Sequence, residues 1–168
     1  MKRKYILFGG FVILLLFSLF LLKSSIPYDL LGRPQEGELN FTLTPEKTHV
    51  KEGENFEIEL ELTNTGDNKI NVWDLEEQVS YNIILSYQNA TELPYLCGVI
   101  ERTPLTNEYL VKLNPGESMK HTQDSNCWEL SRGEYSLRAV YYTQLGERIT
   151  KPYWVGSIES EPVTIIVE

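Results

Sequence analysis

The sequence predicts an all-β chain: a two-sheet sandwich of about seven short strands, preceded by one N-terminal transmembrane helix. Three observations carry this. From Leu39 onward the apolar residues recur with period two, the mark of strands with one dry and one wet face. The periodic runs are short and separated by turn residues, which suits two sheets covering each other's dry faces. Before them stands an unbroken apolar run, Tyr5 to Leu22, in which Ser18 is the one hydroxyl besides the tyrosine.

That run sets the organisation. Lys2, Arg3 and Lys4 in the stub 1–4 precede it, and Lys23, Ser24 and Ser25 close it. As a helix it is about 27 Å long, close to the hydrocarbon thickness of a bilayer. Basic residues before the run hold that end in the cytoplasm, so the rest is expected outside, in a single-pass cell-membrane protein. A cleavable signal peptide is the competing reading, with Leu22 and Ser24 as its cleavage-site pair. No Cys lies near the end of the run, which excludes a lipoprotein anchor. Residues 23–37, with Pro27, Gly32, Pro34 and Gly37, read as a linker to a domain at 38–168.

Within the domain, Leu39, Phe41 and Leu43 alternate with polar residues. Phe56, Ile58, Leu60 and Leu62 alternate with Glu57, Glu59 and Glu61. Further strands are expected at Tyr81–Tyr87, at Tyr109–Leu113 and, after the Asn114-Pro115-Gly116 turn, at Glu117–Gln123. Tyr135–Tyr141 and Val163–Val167 complete the set. Ile70–Trp73 fits a short strand or a loop equally well, and the domain shows no helical period.

Two stretches carry a family likeness. Val50-Lys51-Glu52-Gly53-Glu54-Asn55-Phe56 leads to Leu62-Thr63-Asn64-Thr65-Gly66-Asp67. Leu113-Asn114-Pro115-Gly116-Glu117-Ser118 and Leu130-Ser131-Arg132-Gly133-Glu134-Tyr135-Ser136-Leu137 extend the pattern. This layout resembles prokaryotic exported immunoglobulin-like domains, both the adhesion-related modules and the intracellular proteinase inhibitor-like family, over nearly all of Leu39–Val167. The resemblance implies a tyrosine corner at Tyr135, its phenol bonding back to nearby backbone. Leu137 stands where antibody domains carry a cysteine, so their inter-sheet disulfide is missing.

Cys97 and Cys127 are the only cysteines. In an exported domain such a pair is expected to form a disulfide rather than two buried thiols, tying two loops at one end of the sandwich. His49, His121 and Met119 raise a copper reading, but Met119 and His121 precede Cys127 and share strand parity, so no metal site is expected. Glu57, Glu59 and Glu61, with Asp67, Asp74, Glu76 and Glu77 in the next loop, lack the ligand order of a calcium motif and read as a solvated acidic face. Neither a nucleophile elbow, a zinc-binding His pair nor a glycine-rich phosphate loop occurs, so no catalytic residue and no cofactor are assigned.

Formal charge is −9 for the chain. It is uneven: five basic and two acidic side chains in residues 1–36, ten basic and twenty-two acidic in residues 37–168. The acidic domain repels phosphate backbones, which argues against nucleic acid. The function this supports is a non-enzymatic interaction module on the outer face of a membrane. A proteinase-inhibitor-like domain is the alternative, and an exported metal-binding or hydrolytic protein ranks below it. Candidate partner-binding residues are Trp73, Tyr153 and Trp154, hot-spot residue types on long connections, with Asp74, Glu76 and Glu77 beside them selecting a basic protein or peptide. The competing expectation is that the three rings seal the open end of the core. Asn40-Phe41-Thr42 and Asn89-Ala90-Thr91 are candidate glycosylation acceptors, one on the wet parity of a strand and one in a loop.

Overall fold

A computed structural model describes residues 34–99 and 104–168. The basic stub, the apolar run 5–22 and linker residues 23–33 lie outside the described residues. Among the described residues no helix is long and apolar enough to cross a membrane.

The cleanest alternation in the sequence becomes the centre of the first sheet. Strands β1 (Leu39–Pro45), β3 (Glu57–Asn64) and β7 (Ser118–Asp124) pair antiparallel in the order β1-β3-β7. Ile58, Leu60 and Leu62 of β3 are fully buried while Glu57 and Glu59 face solvent. Each of those three side chains stabilises the fold by about 1.5–3 kcal/mol of transfer free energy.

The second sheet runs β2-β10-β8-β5, from β2 (His49–Val50), β10 (Val163–Val167), β8 (Gly133–Thr143) and β5 (Tyr81–Tyr87). Strand β9 (Gly156–Glu159) pairs with the far half of β8, on the same side as β10. Ser160 bridges the gap between them: its N–H donates to the Ala139 carbonyl and its Oγ accepts from the Ala139 N–H, both at 2.9 Å. The hydroxyl thus replaces the ladder bond lost where the chain steps from β9 to β10.

The two sheets face each other across the core. β1 lies over β8 and β9, with the Phe41 and Tyr141 ring centroids 5.8 Å apart. β5 lies against β7, with Tyr81 and His121 rings 5.7 Å apart. The Tyr135 phenol donates to the Ser131 carbonyl at 2.7 Å, closing the turn that enters β8.

A third, two-stranded sheet pairs β4 (Ile70–Trp73) with β6 (Leu110–Leu113). The undecided Ile70–Trp73 segment is therefore a strand. The described residues form ten strands rather than about seven. β2 and β9 carry no readable pattern: β2 is two residues held by parallel pairing to β10, and β9 has one hydrophobic side chain. Tyr109 belongs to a 3-10 turn, Asn107–Tyr109, and its strand begins at Leu110.

Asn64, fully buried, locks the turns beyond β3. Its Nδ2 donates to the carbonyls of Asn68 and Leu113, and its Oδ1 accepts from Gly66 N–H. The Asn114-Pro115-Gly116 turn needs positive φ at Gly116, where φ is 75°. Glu117 then closes it by accepting from both Asn114 nitrogens at 2.8 Å.

Candidate interaction surface

The three aromatic candidates seal the core rather than stand free. Trp73 is 3% exposed and Tyr153 is 0% exposed, their ring centroids 6.1 Å apart, in a small second core with Ile149. Trp154 is half-buried and stacks over Tyr141 at 5.9 Å. The connection from Gln144 to Val155 is pinned by its own polar groups. Tyr153 donates to the Gln144 carbonyl and accepts from Gly146 N–H, both at 2.7 Å. Asn71 of β4 holds it from the other side, accepting from Trp154 N–H at 2.8 Å and donating Nδ2 to the Pro152 carbonyl at 2.7 Å. The entering chain joins the same cluster, with Gln35 N–H bonded to the Tyr153 carbonyl and Gln35 Oε1 to Asn71 N–H. Length and aromatic content marked this connection as a docking loop, but the open end of the sandwich required apolar cover and the rings supply it. Trp73 and Tyr153 are core residues here, and only Trp154 keeps part of its ring in solvent.

The acidic companions divide. Asp74 and Glu76 are exposed, in a turn wrapped on the buried Ser80, whose hydroxyl accepts from Glu76 N–H at 2.9 Å. Glu77 turns the other way, toward β5, where Tyr95 bonds its carboxylate. Burial first, then that carboxylate, push the Tyr95 phenol above its ordinary value. On the outer face of the first sheet Lys120 pairs with Glu59 at 2.9 Å and Glu61 at 3.5 Å, so the acidic row there is partly neutralised. His49 sits exposed on β2, whereas Met119 and His121 pack inward from β7. Among the described residues no group of three His, Cys, Asp or Glu could hold a metal ion. Asn40 and Asn89 are both exposed.

Cys97 and Cys127 are joined, with Cα atoms 5.1 Å apart. The bond does not tie two loops at one end. After β5 the chain turns at Asn89–Ala90 and runs back along the outer edge of β5, with Leu93 N–H bonded to the Leu85 carbonyl at 2.8 Å and Gly98 O accepting from Gln78 Nε2 at 2.9 Å. The disulfide then crosses the open side of the sandwich to Cys127, the last residue of the 3-10 turn Ser125–Cys127 that follows β7. Counting strands could place the loops in sequence but not foresee that one of them folds back.

Between β5 and this returning segment lies a groove of about 420 Å³. Asn82 and Ile84 of β5 line one side, Leu93 and Tyr95 the other, with Glu77 and Glu92 among the lining residues. Val99, also lining it, is 91% exposed and neighbouring Leu96 is 51% exposed. Tyr95 meets Trp128 edge-on at 5.3 Å, anchoring the segment's inner side. None of these groove residues except Glu77 was singled out from sequence. The available signal was an apolar run around Cys97 with no alternation, in a connection that has no core strand to feed.

Buried phenols make the domain sensitive to alkali. Burial raises the phenols of Tyr81 and Tyr141 well above their ordinary value of 10.0. The folded state therefore prefers the neutral form. The stability this contributes is fully present below pH about 10, the unfolded value, and is lost as pH rises above it. Circular dichroism should hold steady up to about that pH and then fall, with part of the tyrosinate absorbance appearing only as the fold is lost. Complete tyrosine ionisation in a still-folded domain would contradict this burial.

No protein-family profile matches the chain, and no curated protein matches it by sequence. Solved structures do resemble it in shape. The CARDB domain of a Pyrococcus furiosus protein, solved in complex with di-metal ions, is 14% identical with a TM-score of 0.42, over 81% of this chain and 92% of that one. Spo0M, a sporulation control protein from Bacillus subtilis, is 15% identical with a TM-score of 0.45, over 79% of this chain and 50% of that one. A β-glucosidase from Erythrobacter marinus is 11% identical with a TM-score of 0.40, over 79% of this chain but 16% of the enzyme.

Proposed function

We propose that this chain is a membrane-anchored, extracytoplasmic interaction module with an immunoglobulin-like sandwich, held outside by its N-terminal apolar run and acting by binding rather than catalysis. The Cys97–Cys127 bond carries the reading. Such bonds persist in oxidising compartments, and this one holds an apolar segment, Leu96 to Val99, in solvent beside an edge strand. The Tyr135–Ser131 bond and the two facing sheets support the immunoglobulin-like assignment. The basic cluster before Tyr5–Leu22 supports an outward-facing domain.

Protease treatment of intact cells carrying the full-length chain should remove the domain, and N-terminal sequencing of membrane-extracted protein should read from near Met1. A domain resistant until the cells are lysed would reject the outward topology. A mature protein starting near Ser25 would remove the anchor but leave export standing. Inhibition of a protease panel by the purified chain would replace the module reading with the inhibitor one.

A further inference from the structure

The geometry points to strand addition at the β5 edge: an extended peptide carrying basic and apolar residues in alternation pairs with Ile83 and lies in the groove between β5 and the returning segment. This rests on the interaction-module reading and names its surface and partner.

The backbone parity of β5 supplies the first argument. The Ser80 carbonyl accepts from Tyr142 N–H, so in this antiparallel register Asn82, Ile84 and Ser86 bond to β8. Tyr81, Ile83, Leu85 and Tyr87 therefore turn their backbone groups outward. Tyr87 is closed by the hairpin through Thr91 and Ala90, the Leu85 carbonyl by Leu93 N–H, and the Tyr81 carbonyl by Gln78 N–H. The amide and carbonyl of Ile83 and the amide of Leu85 have no partner among the described residues.

The reason lies in the returning segment. If its pairing continued one step past Leu93, Tyr95 would bond to Ile83. In this register Leu96 N–H faces away from β5, and its bond to the Cys127 carbonyl at 2.9 Å, beside the disulfide, draws the segment off that edge. The segment leaves β5 where Ile83 needs a neighbour, and the groove is the space it leaves.

The first sheet has its own edges, β1 and β7. β7 carries Lys120 at its centre and β1 ends in Pro45, both devices that discourage strand addition. The β5 side has instead Tyr87, Leu96 and Val99, three of the four large exposed hydrophobic side chains among the described residues. Main-chain bonds supply affinity in strand addition, and pockets for alternate side chains supply selectivity. Here apolar side chains would meet Ile84, Leu93 and Val99, and Glu77 and Glu92 select positive charge at the rim, Glu92 sharing Arg138 (3.8 Å) with Glu159 (3.1 Å), which leaves that trio net negative. A second copy of this acidic domain is disfavoured by the same charges.

The test uses the full-length chain in detergent micelles and a blocked heptapeptide of alternating lysine and valine. Hydrogen exchange at the Ile83 amide should slow by about tenfold or more on peptide binding, while Asn82 and Ile84, already bonded to β8, stay unchanged. Glu77→Gln with Glu92→Gln should weaken binding by about tenfold, and a glutamate–valine peptide should not bind. N-methylation of alternate peptide amides should abolish binding in one parity and spare it in the other. No binding at about 1 mM lysine–valine peptide, or binding without protection at Ile83, overturns the proposal. So does protection that follows protein concentration without peptide, which would make a second copy the occupant. These outcomes leave the outward topology and the module reading to their own experiment.

Discussion

Replacing both Cys97 and Cys127 by Ala should lower the unfolding free energy of the full-length chain by about 3–4 kcal/mol. The bond spans a sequence separation of 30, and opening it restores that much loop freedom to the unfolded chain. The native state also loosens. Cys97 is exposed and holds the returning segment by one covalent link and by Leu96 N–H on the Cys127 carbonyl. Without the link the segment is free to move, and Tyr95 loses its fixed place against the buried Trp128. Urea unfolding followed by tryptophan fluorescence measures the loss, and non-reduced wild-type protein should yield no alkylatable thiol. A change below about 0.5 kcal/mol would mean that the bond constrains nothing in the unfolded chain.

Trp73→Ala should cost about 3–5 kcal/mol, the range for emptying a large buried aromatic site. Trp73 packs against Tyr153 and Ile149, and its backbone carbonyl accepts the Tyr141 phenol at 2.9 Å, so the cavity opens where the end sheet meets the main core. Trp73→Phe should be far milder. The Trp73 Nε1 is buried without a partner among the described residues, and an unmet buried donor costs about 1–3 kcal/mol. Phenylalanine removes that orphan while keeping most of the ring, so the two effects should leave the variant within about 1–2 kcal/mol of wild type. Urea midpoints compare the three proteins directly. If Trp73→Ala unfolds with wild type, the ring does not seal the core.

The strand interiors were legible because strand alternation is local: Ile58, Leu60 and Leu62 announce their common face by spacing alone, and the structure buries all three. Tyr135 is bonded within its own turn, to a carbonyl four residues back, so its role could be read from a short motif. The turn at Gly116 was legible for the same reason. What the sequence could not specify depends on groups brought together from far along the chain. β2 exists because β10 runs beside it, and β9 because β8 extends past β10. Trp73 and Tyr153, eighty residues apart, meet because the end of the sandwich is open, and neither position states whether its ring faces water. The free edge at Ile83 is the extreme case. Its residue is an ordinary inward-facing strand position, and its backbone lacks a partner among the described residues because the disulfide draws a distant segment away. Side-chain parity is a property of neighbours along the chain, whereas burial of a ring or satisfaction of a backbone group is decided by whichever segment packs beside it.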